Sequence, residues 1–138
     1  MIKLKSGRMK IEHWERYPNF NADEFKCSCC GLNVIDRKMV GVAQDIRYIS
    51  GLPVIITCGC RCYSNNKLNG GNDSSKHMNG QAFDYVSEDY DFKYLARLAM
   101  SARLEIVVYQ YKNHKVKFVH VGNPINKKTK YSFKVKIL

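Results

Sequence analysis

The sequence predicts an α+β domain with a mainly antiparallel sheet, two main helices and a long glycine-rich loop. Two segments carry apolar residues at helical spacing, and about five short segments are rich in β-branched and aromatic residues. The length of 138 residues suits one domain spanning residues 1–138 with a single core.

The N-terminal third is predicted to contain an extended arm, a helical turn and the first helix. Residues 1–19 form the arm, and Asn21 caps a short turn with Glu24 at the capping-box position. Apolar residues then recur at spacings of three and four over 36–50, and Gly51 follows where a helix would end.

The middle of the chain is predicted to form two strands separated by a long loop. The β-branched segment 53–57 indicates a buried strand, and 82–86 indicates the next one. Between them, 58–81 contains four of the nine glycines. Loops longer than about 12–15 residues in a small domain are usually functional or disordered, which directs attention to this one.

The remaining elements are a second helix and three strands. An amphipathic pattern predicts the helix over 89–103, and β-rich segments follow at 104–111, 115–121 and 131–137. The last of them belongs to a basic C-terminal segment, 123–138.

Composition restricts the partners that the chain is expected to have. Lys and Arg number 23 against 12 Asp and Glu, for a net charge of +11. Nucleic acid or an anionic cell-wall polymer would both be attracted, and a basic protein without an anionic partner is the third alternative. We expect no membrane span and no cleaved signal peptide, and therefore synthesis in the cytoplasm, because the sequence lacks the apolar segments that either would need.

Three side chains around the long loop are candidates for a metal site. His77 lies at the loop end, Asp84 seven residues later on a predicted strand, and His120 in the apolar strand 115–121. Imidazole nitrogens and a carboxylate suit Zn²⁺, and three protein ligands with one open position are typical of catalytic zinc. The spacing alone also allows a solvated His77 and a core His120.

A wider pattern surrounds these candidates and consists of Cys58-Gly59-Cys60-Arg61, Asn65-Asn66, Gly70-Gly71, Ser75-x-His77-x6-Asp84 and Phe118-Val119-His120. This pattern resembles the zinc D-Ala-D-Ala carboxypeptidase family, which includes phage L-alanyl-D-glutamate endopeptidases and shares its fold with the hedgehog signalling domain. The resemblance covers roughly residues 19–122, and the opening motifs look like the short phage versions, namely Phe20-x4-Phe25-x-Cys27, Asp36 and Gly51-x-Pro53.

The resemblance implies the roles of five residues. His77, Asp84 and His120 would bind one catalytic zinc. Arg61 would bind the carbonyl oxygen or terminal carboxylate of the substrate, since its fork of donors can stabilise an oxyanion. Ser75 would hydrogen-bond substrate or groups near the metal. The implied activity is hydrolysis of peptidoglycan stem peptides next to a D-amino acid.

The sequence departs from this family at the position of the general base. Lys117, Phe118 and Gly122 occupy the positions around the last ligand where family members carry an acid or a histidine. Such a base takes a proton from zinc-bound water and delivers it to the leaving amine. A catalytically inactive, zinc-binding relative acting as a cell-wall-binding or virion-associated module is therefore the alternative function.

Two residues on the predicted C-terminal hairpin are candidates to replace that base. A turn centred on Asn113 would pair Glu105 with Val121 and direct it away from the face of His120, whereas a one-residue shift would reverse this. His114 falls in the turn itself, where its direction is open. The sequence therefore favours His114 as the base.

Six cysteines fall into two clusters. Without a signal peptide we expect a reducing compartment, where such clusters bind metal more often than they pair. A structural zinc held by four thiolates would join the two segments, with free thiols or late disulfides as the alternative. The clusters are Cys27-x-Cys29-Cys30 and Cys58-x-Cys60-x-Cys62.

The expected setting follows from these predictions. The partner is peptidoglycan or another anionic wall polymer, reached after phage-type release or as part of a virion, and the protein is expected to be a monomer. Nucleic acid is disfavoured, because the sequence shows no recognition helix and the cysteine spacing is not that of a zinc ribbon.

Overall fold

A computed structural model describes residues 2–3, 9–10, 14–27, 31, 35–61, 77, 80–124 and 131–138. These residues form two helices and seven strands, with 3₁₀ turns at Trp14–Arg16 and Ala22–Glu24. The elements in chain order are β1 (Ile2–Lys3), β2 (Met9–Lys10), α1 (Arg37–Ser50), β3 (Val54–Cys58), β4 (Ala82–Ser87), α2 (Phe92–Ser101), β5 (Glu105–Gln110), β6 (Val116–Gly122) and β7 (Ser132–Ile137).

The principal sheet confirms the predicted α+β class. Its five strands lie in the order β3-β4-β6-β5-β7. All neighbouring pairs are antiparallel except β5 and β7, which run parallel at the C-terminal edge. The predicted N-terminal arm contains a separate two-stranded sheet, in which β1 pairs with β2.

Local sequence explains where both helices begin and where α1 ends. The Asp36 carboxylate accepts the N–H of Lys38 at 2.8 Å, and Gly51 terminates α1 with a φ of 67° that glycine adopts without strain. At α2, the Asp91 side chain accepts the N–H of Tyr94 at 3.0 Å. Neither helix has the length and apolar character required to cross a membrane.

Alternation along the strands gives the sheet two different faces. One face packs with both helices in a single hydrophobic core, to which the strands contribute Phe83, Tyr85, Ile106, Val108, Val119 and Val121. The opposite face, called the site face below, carries Asp84, Glu105, Phe118 and His120. The polar candidates of the sequence therefore lie across the sheet from the core.

Two register irregularities shape the site face. Ile56 pairs with Tyr85, but Cys58 rather than residue 57 pairs with Asp84, so a bulge turns Cys58 toward that carboxylate. The β5–β6 hairpin has the register Glu105 to Gly122. A turn centred on Asn113 is present, because Gln110 pairs with Val116, but the register shifts between Tyr109 and Gln110. The pairing of Glu105 with Val121 that such a turn predicts is therefore wrong by one residue.

Candidate metal centre

His77, Asp84 and His120 lie together, with the Asp84 carboxylate between the two imidazoles. Asp84 Oδ1 is 2.9 Å from His120 Nδ1 and 3.3 Å from His77 Nε2. The two imidazole ring centroids are 5.3 Å apart. His77 and Asp84 are both buried. The three residues proposed as metal ligands therefore form one compact cluster.

Strand pairing positions two members of this cluster. Asp84 on β4 and His120 on β6 are directly paired, and both belong to the site face. Side chains directly opposite each other on antiparallel strands have Cβ atoms about 4.5–5.5 Å apart, which brings a carboxylate and an imidazole into contact. The sheet thus places Asp84 and His120 together without help from the loop.

Backbone hydrogen bonds fix His77 at the end of the long loop. Its carbonyl accepts the N–H of Arg61 at 3.0 Å and that of Gly80 at 3.3 Å. The Gly80 carbonyl in turn accepts the N–H of Asp36 at 2.8 Å, just before α1. Gln81 Nε2 also donates to the Asp36 carboxylate at 3.0 Å. The start of α1 therefore anchors the segment that carries His77.

The orientation of the His77 ring is set by Gly59. The Gly59 carbonyl accepts a hydrogen bond from His77 Nδ1 at 2.8 Å, which turns Nε2 toward Asp84. Metal-binding histidines characteristically donate their other ring N–H in this way. Gly59 is required here because a Cβ at this position would lie 2.5 Å from the backbone oxygen of Phe25.

Cys58 joins this cluster to Arg61. Its Sγ lies 3.5 Å from His77 Nδ1 and accepts a hydrogen bond from Arg61 Nε at 3.0 Å. Cys58, His77 and Asp84 present potential ligand atoms that all lie within 4.8 Å of one another. Cys58 is therefore part of the site.

The buried charges of the cluster shift its titration. Burial alone would raise the pKa of Asp84, but hydrogen bonds from His120 and His77 outweigh it and lower the pKa to about 2. Burial alone would lower the pKa of His77, but the hydrogen bonds and charge of Asp84 and Cys58 raise it to about 10. The cluster therefore stabilises an ionised carboxylate beside a protonated imidazole when no metal is bound.

The donor types suit zinc, and so do the two separations from the Asp84 carboxylate. With Zn–N and Zn–O bonds of 2.0–2.1 Å, ligand atoms of a tetrahedral site lie about 3.3 Å apart. The observed separations from Asp84 Oδ1 are 3.3 Å to His77 and 2.9 Å to His120. Two imidazole nitrogens and a carboxylate oxygen, with a thiol nearby, are donors that suit Zn²⁺.

A cleft of about 590 Å³ opens beside the cluster. Asp84, Cys58 and Arg61 contribute to its wall on the cluster side, and Lys117 and Phe118 contribute from β6. The cleft is also lined by Asp23, Glu24 and Lys26. The cleft gives a ligand access to the carboxylate of the cluster and to the predicted substrate-binding arginine.

The structure does not bring His114 to this site. His114 is exposed in the turn between β5 and β6, with a φ of 68°. His114 precedes His120 by six residues of nearly extended chain, which corresponds to a distance of about 20 Å along the strand. Glu105 instead shares the site face, with Oε1 3.9 Å from His120 Nε2. The expectation that Glu105 faces away from His120 assumed a hairpin without the register shift between Tyr109 and Gln110.

The cysteine clusters and Ser75 are described only in part. Ser75, Cys29, Cys30 and Cys62 lie outside the described residues. Cys27 and Cys60 are buried, and their segments are in contact, because the Cys60 N–H donates to the Phe25 carbonyl at 2.8 Å. A structural zinc between the clusters stays a prediction.

A family model described as Peptidase M15 matches residues 18–122, more than half of the chain. That span includes His77, Asp84, His120 and Arg61. A search of curated proteins found no match.

Proposed function

The chain belongs to the peptidase M15 family, and we propose that it hydrolyses peptidoglycan stem peptides next to a D-amino acid, as a phage-type lysin or carboxypeptidase. M15 peptidases depend on zinc. The observation that carries the proposal is the contact of Asp84 with both imidazoles at zinc-ligand spacing, beside a cleft that Arg61 lines.

Three residues would hold the metal through defined atoms. These are Asp84 Oδ1 and the ring nitrogens that lie nearest to it, His77 Nε2 and His120 Nδ1. Zinc bound there would polarise a peptide carbonyl and lower the pKa of a coordinated water. The Gly59 carbonyl keeps His77 in the orientation that this binding requires.

Arg61 is proposed to bind the substrate. It lines the cleft together with Asp84, and its Nε is held by Cys58 at 3.0 Å. A guanidinium held in this way can donate to a terminal carboxylate or to the oxyanion that develops on a peptide carbonyl. The role proposed for Ser75 rests on the family resemblance.

The setting of the reaction is part of the same proposal. A net charge of +11 favours association with an anionic cell-wall polymer. We propose that the protein acts as a monomer on the wall, after release from the cytoplasm by a phage-type route or as part of a virion.

A second candidate function is zinc binding without hydrolysis. Lys117 and Phe118 line the cleft where family members supply an acid or a histidine near the last ligand. A protein that lacks the proton acceptor could still bind wall peptides through the same cleft.

Digestion of purified peptidoglycan distinguishes the two candidates. New amino groups should appear with the zinc-loaded protein and disappear with His120→Ala, whereas His114→Ala should behave as the unmodified protein. If the protein retains zinc and binds peptidoglycan but releases no amino groups, the hydrolytic proposal is wrong and the binding module is correct.

A further inference from the structure

We propose that Glu105 is a positioning residue that holds the His120 ring with Nδ1 directed at the metal. This inference rests on the zinc site of the proposed function, but it does not depend on which bond is cleaved. It identifies a function for an acidic side chain that no motif of the sequence marks.

The register of the hairpin places Glu105 beside His120. Glu105 pairs with Gly122, and Val107 pairs with His120, so Glu105 and His120 are diagonal neighbours on the site face. Diagonal neighbours on adjacent strands lie about 7–8 Å apart at Cα, within reach of a long side chain. A glutamate is long enough to cover this distance to an imidazole.

Gly122 keeps the space between them open. A Cβ at position 122 would lie 3.3 Å from His120 Nε2 and 3.3 Å from the Cβ of Ala82. Any larger residue would therefore occupy the space beside Nε2. The absence of a side chain opposite Glu105 lets its carboxylate extend toward the imidazole.

The His120 ring consequently lies between two carboxylates. Its Nδ1 is 2.9 Å from Asp84 Oδ1, and its Nε2 is 3.9 Å from Glu105 Oε1. When Nδ1 binds a metal, the single ring proton of a neutral imidazole must reside on Nε2. A negative charge on that side favours this tautomer and restrains ring rotation, as acidic partners of metal-binding histidines do elsewhere.

The position of Glu105 distinguishes this function from that of a general base. The described residues that line the cleft include Asp84, Lys117 and Phe118 but not Glu105. Glu105 lies on the Nε2 side of His120, whereas the metal would bind on the Nδ1 side. It therefore acts on the reaction through the histidine.

Zinc affinity measured by competition with a chelator tests the proposal directly. Glu105→Ala should raise the zinc dissociation constant about 10–100-fold, the usual effect of removing such a partner. Glu105→Gln keeps an acceptor oxygen without the charge and should fall between Glu105→Ala and the unmodified protein. Glu88→Gln is the control, because it removes one negative charge from an exposed position, and it should change affinity less than twofold.

The ring nitrogens of His120 give a second readout. In ¹⁵N spectra of the zinc-loaded protein, His120 should show a metal-bound Nδ1 and a protonated Nε2, and Glu105→Ala should broaden or shift the Nε2 signal. The proposal is overturned if Glu105→Ala matches the Glu88→Gln control in affinity and in the His120 signals. If Glu105→Ala fails to fold, Glu105→Gln decides by the same comparison.

Cleavage does not enter this test. A protein that binds zinc but does not hydrolyse peptidoglycan would refute the proposed hydrolysis. The affinity measurements would still decide the function of Glu105. A protein that binds no zinc would overturn both.

Discussion

Zinc binding should release a proton from His77, so the apparent affinity should rise steeply with pH. Without metal, His77 Nδ1 donates to Gly59 and Nε2 faces the Asp84 carboxylate, and its pKa is raised to about 10. Zinc at Nε2 would have to displace the proton on that nitrogen.

The size of the effect follows from this pKa. At pH 7 the His77 pKa of about 10 lies three units above the solution pH, so removing the proton costs about 4 kcal/mol at 1.36 kcal/mol per unit. Apparent zinc affinity should therefore increase about tenfold per pH unit between pH 7 and 9. Close to one proton should be released per zinc bound by this residue.

Folding stability without zinc should show the opposite trend. Because the pKa of His77 is raised from 6.5 to about 10, its stabilising contribution is complete below pH 6.5 and is lost as the pH rises through 10. The pKa of Asp84 is lowered from 3.8 to about 2, so its contribution is present above pH 3.8 and is lost as the pH falls through 2. Both pKa shifts arise in part from the same His77–Asp84 contact, so their contributions to stability cannot be added.

Isothermal titration in buffers of different ionisation enthalpy measures the proton release. Chelator-treated protein would be titrated with zinc at pH 7, 8 and 9, with thermal unfolding followed in parallel. His114→Ala is the control, since His114 is exposed in a turn, and it should release the same number of protons. An affinity that does not change between pH 7 and 9, or zinc binding without proton release, would refute the reasoning.

Three further predictions concern single substitutions. Asp84→Asn removes the charged oxygen that both imidazoles contact, so zinc measured by competition should bind at least about 100-fold more weakly. Gly59→Ala places a Cβ 2.5 Å from a backbone oxygen and should lower the free energy of unfolding, measured with urea, by about 2–4 kcal/mol. Gly41→Ala is the control, because the nearest atom to its Cβ is 3.9 Å away, and it should not lower this free energy. Cys58→Ala removes the sulfur that accepts from Arg61; peptidoglycan cleavage should fall about tenfold with zinc retained, and unchanged cleavage would show that this contact is not needed.

The sequence by itself determined the fold class, the two helices and the five strands of the principal sheet. The helix of residues 37–50 can be predicted from sequence because its apolar spacing, its Asp36 cap and its terminal Gly51 are local signals. All three are present in the structure. The strand alternation that separates Val119 and Val121 from His120 is equally local. Such signals depend on neighbouring residues and are therefore complete in the sequence.

Only the tertiary structure decided the register and the close contacts of the site. The turn centred on Asn113 is present as expected, but an irregularity between Tyr109 and Gln110 shifts the register of β5 against β6 by one residue. A one-residue shift moves a side chain to the other face of the sheet, so Glu105 lies on the same face as His120 and not, as expected, on the opposite face. The bulge that turns Cys58 to Asp84 left no local signal. The need for Gly59 arises from Phe25, which is 34 residues away in the chain. These features depend on contacts between distant segments, and their energies are defined only when the segments have come together.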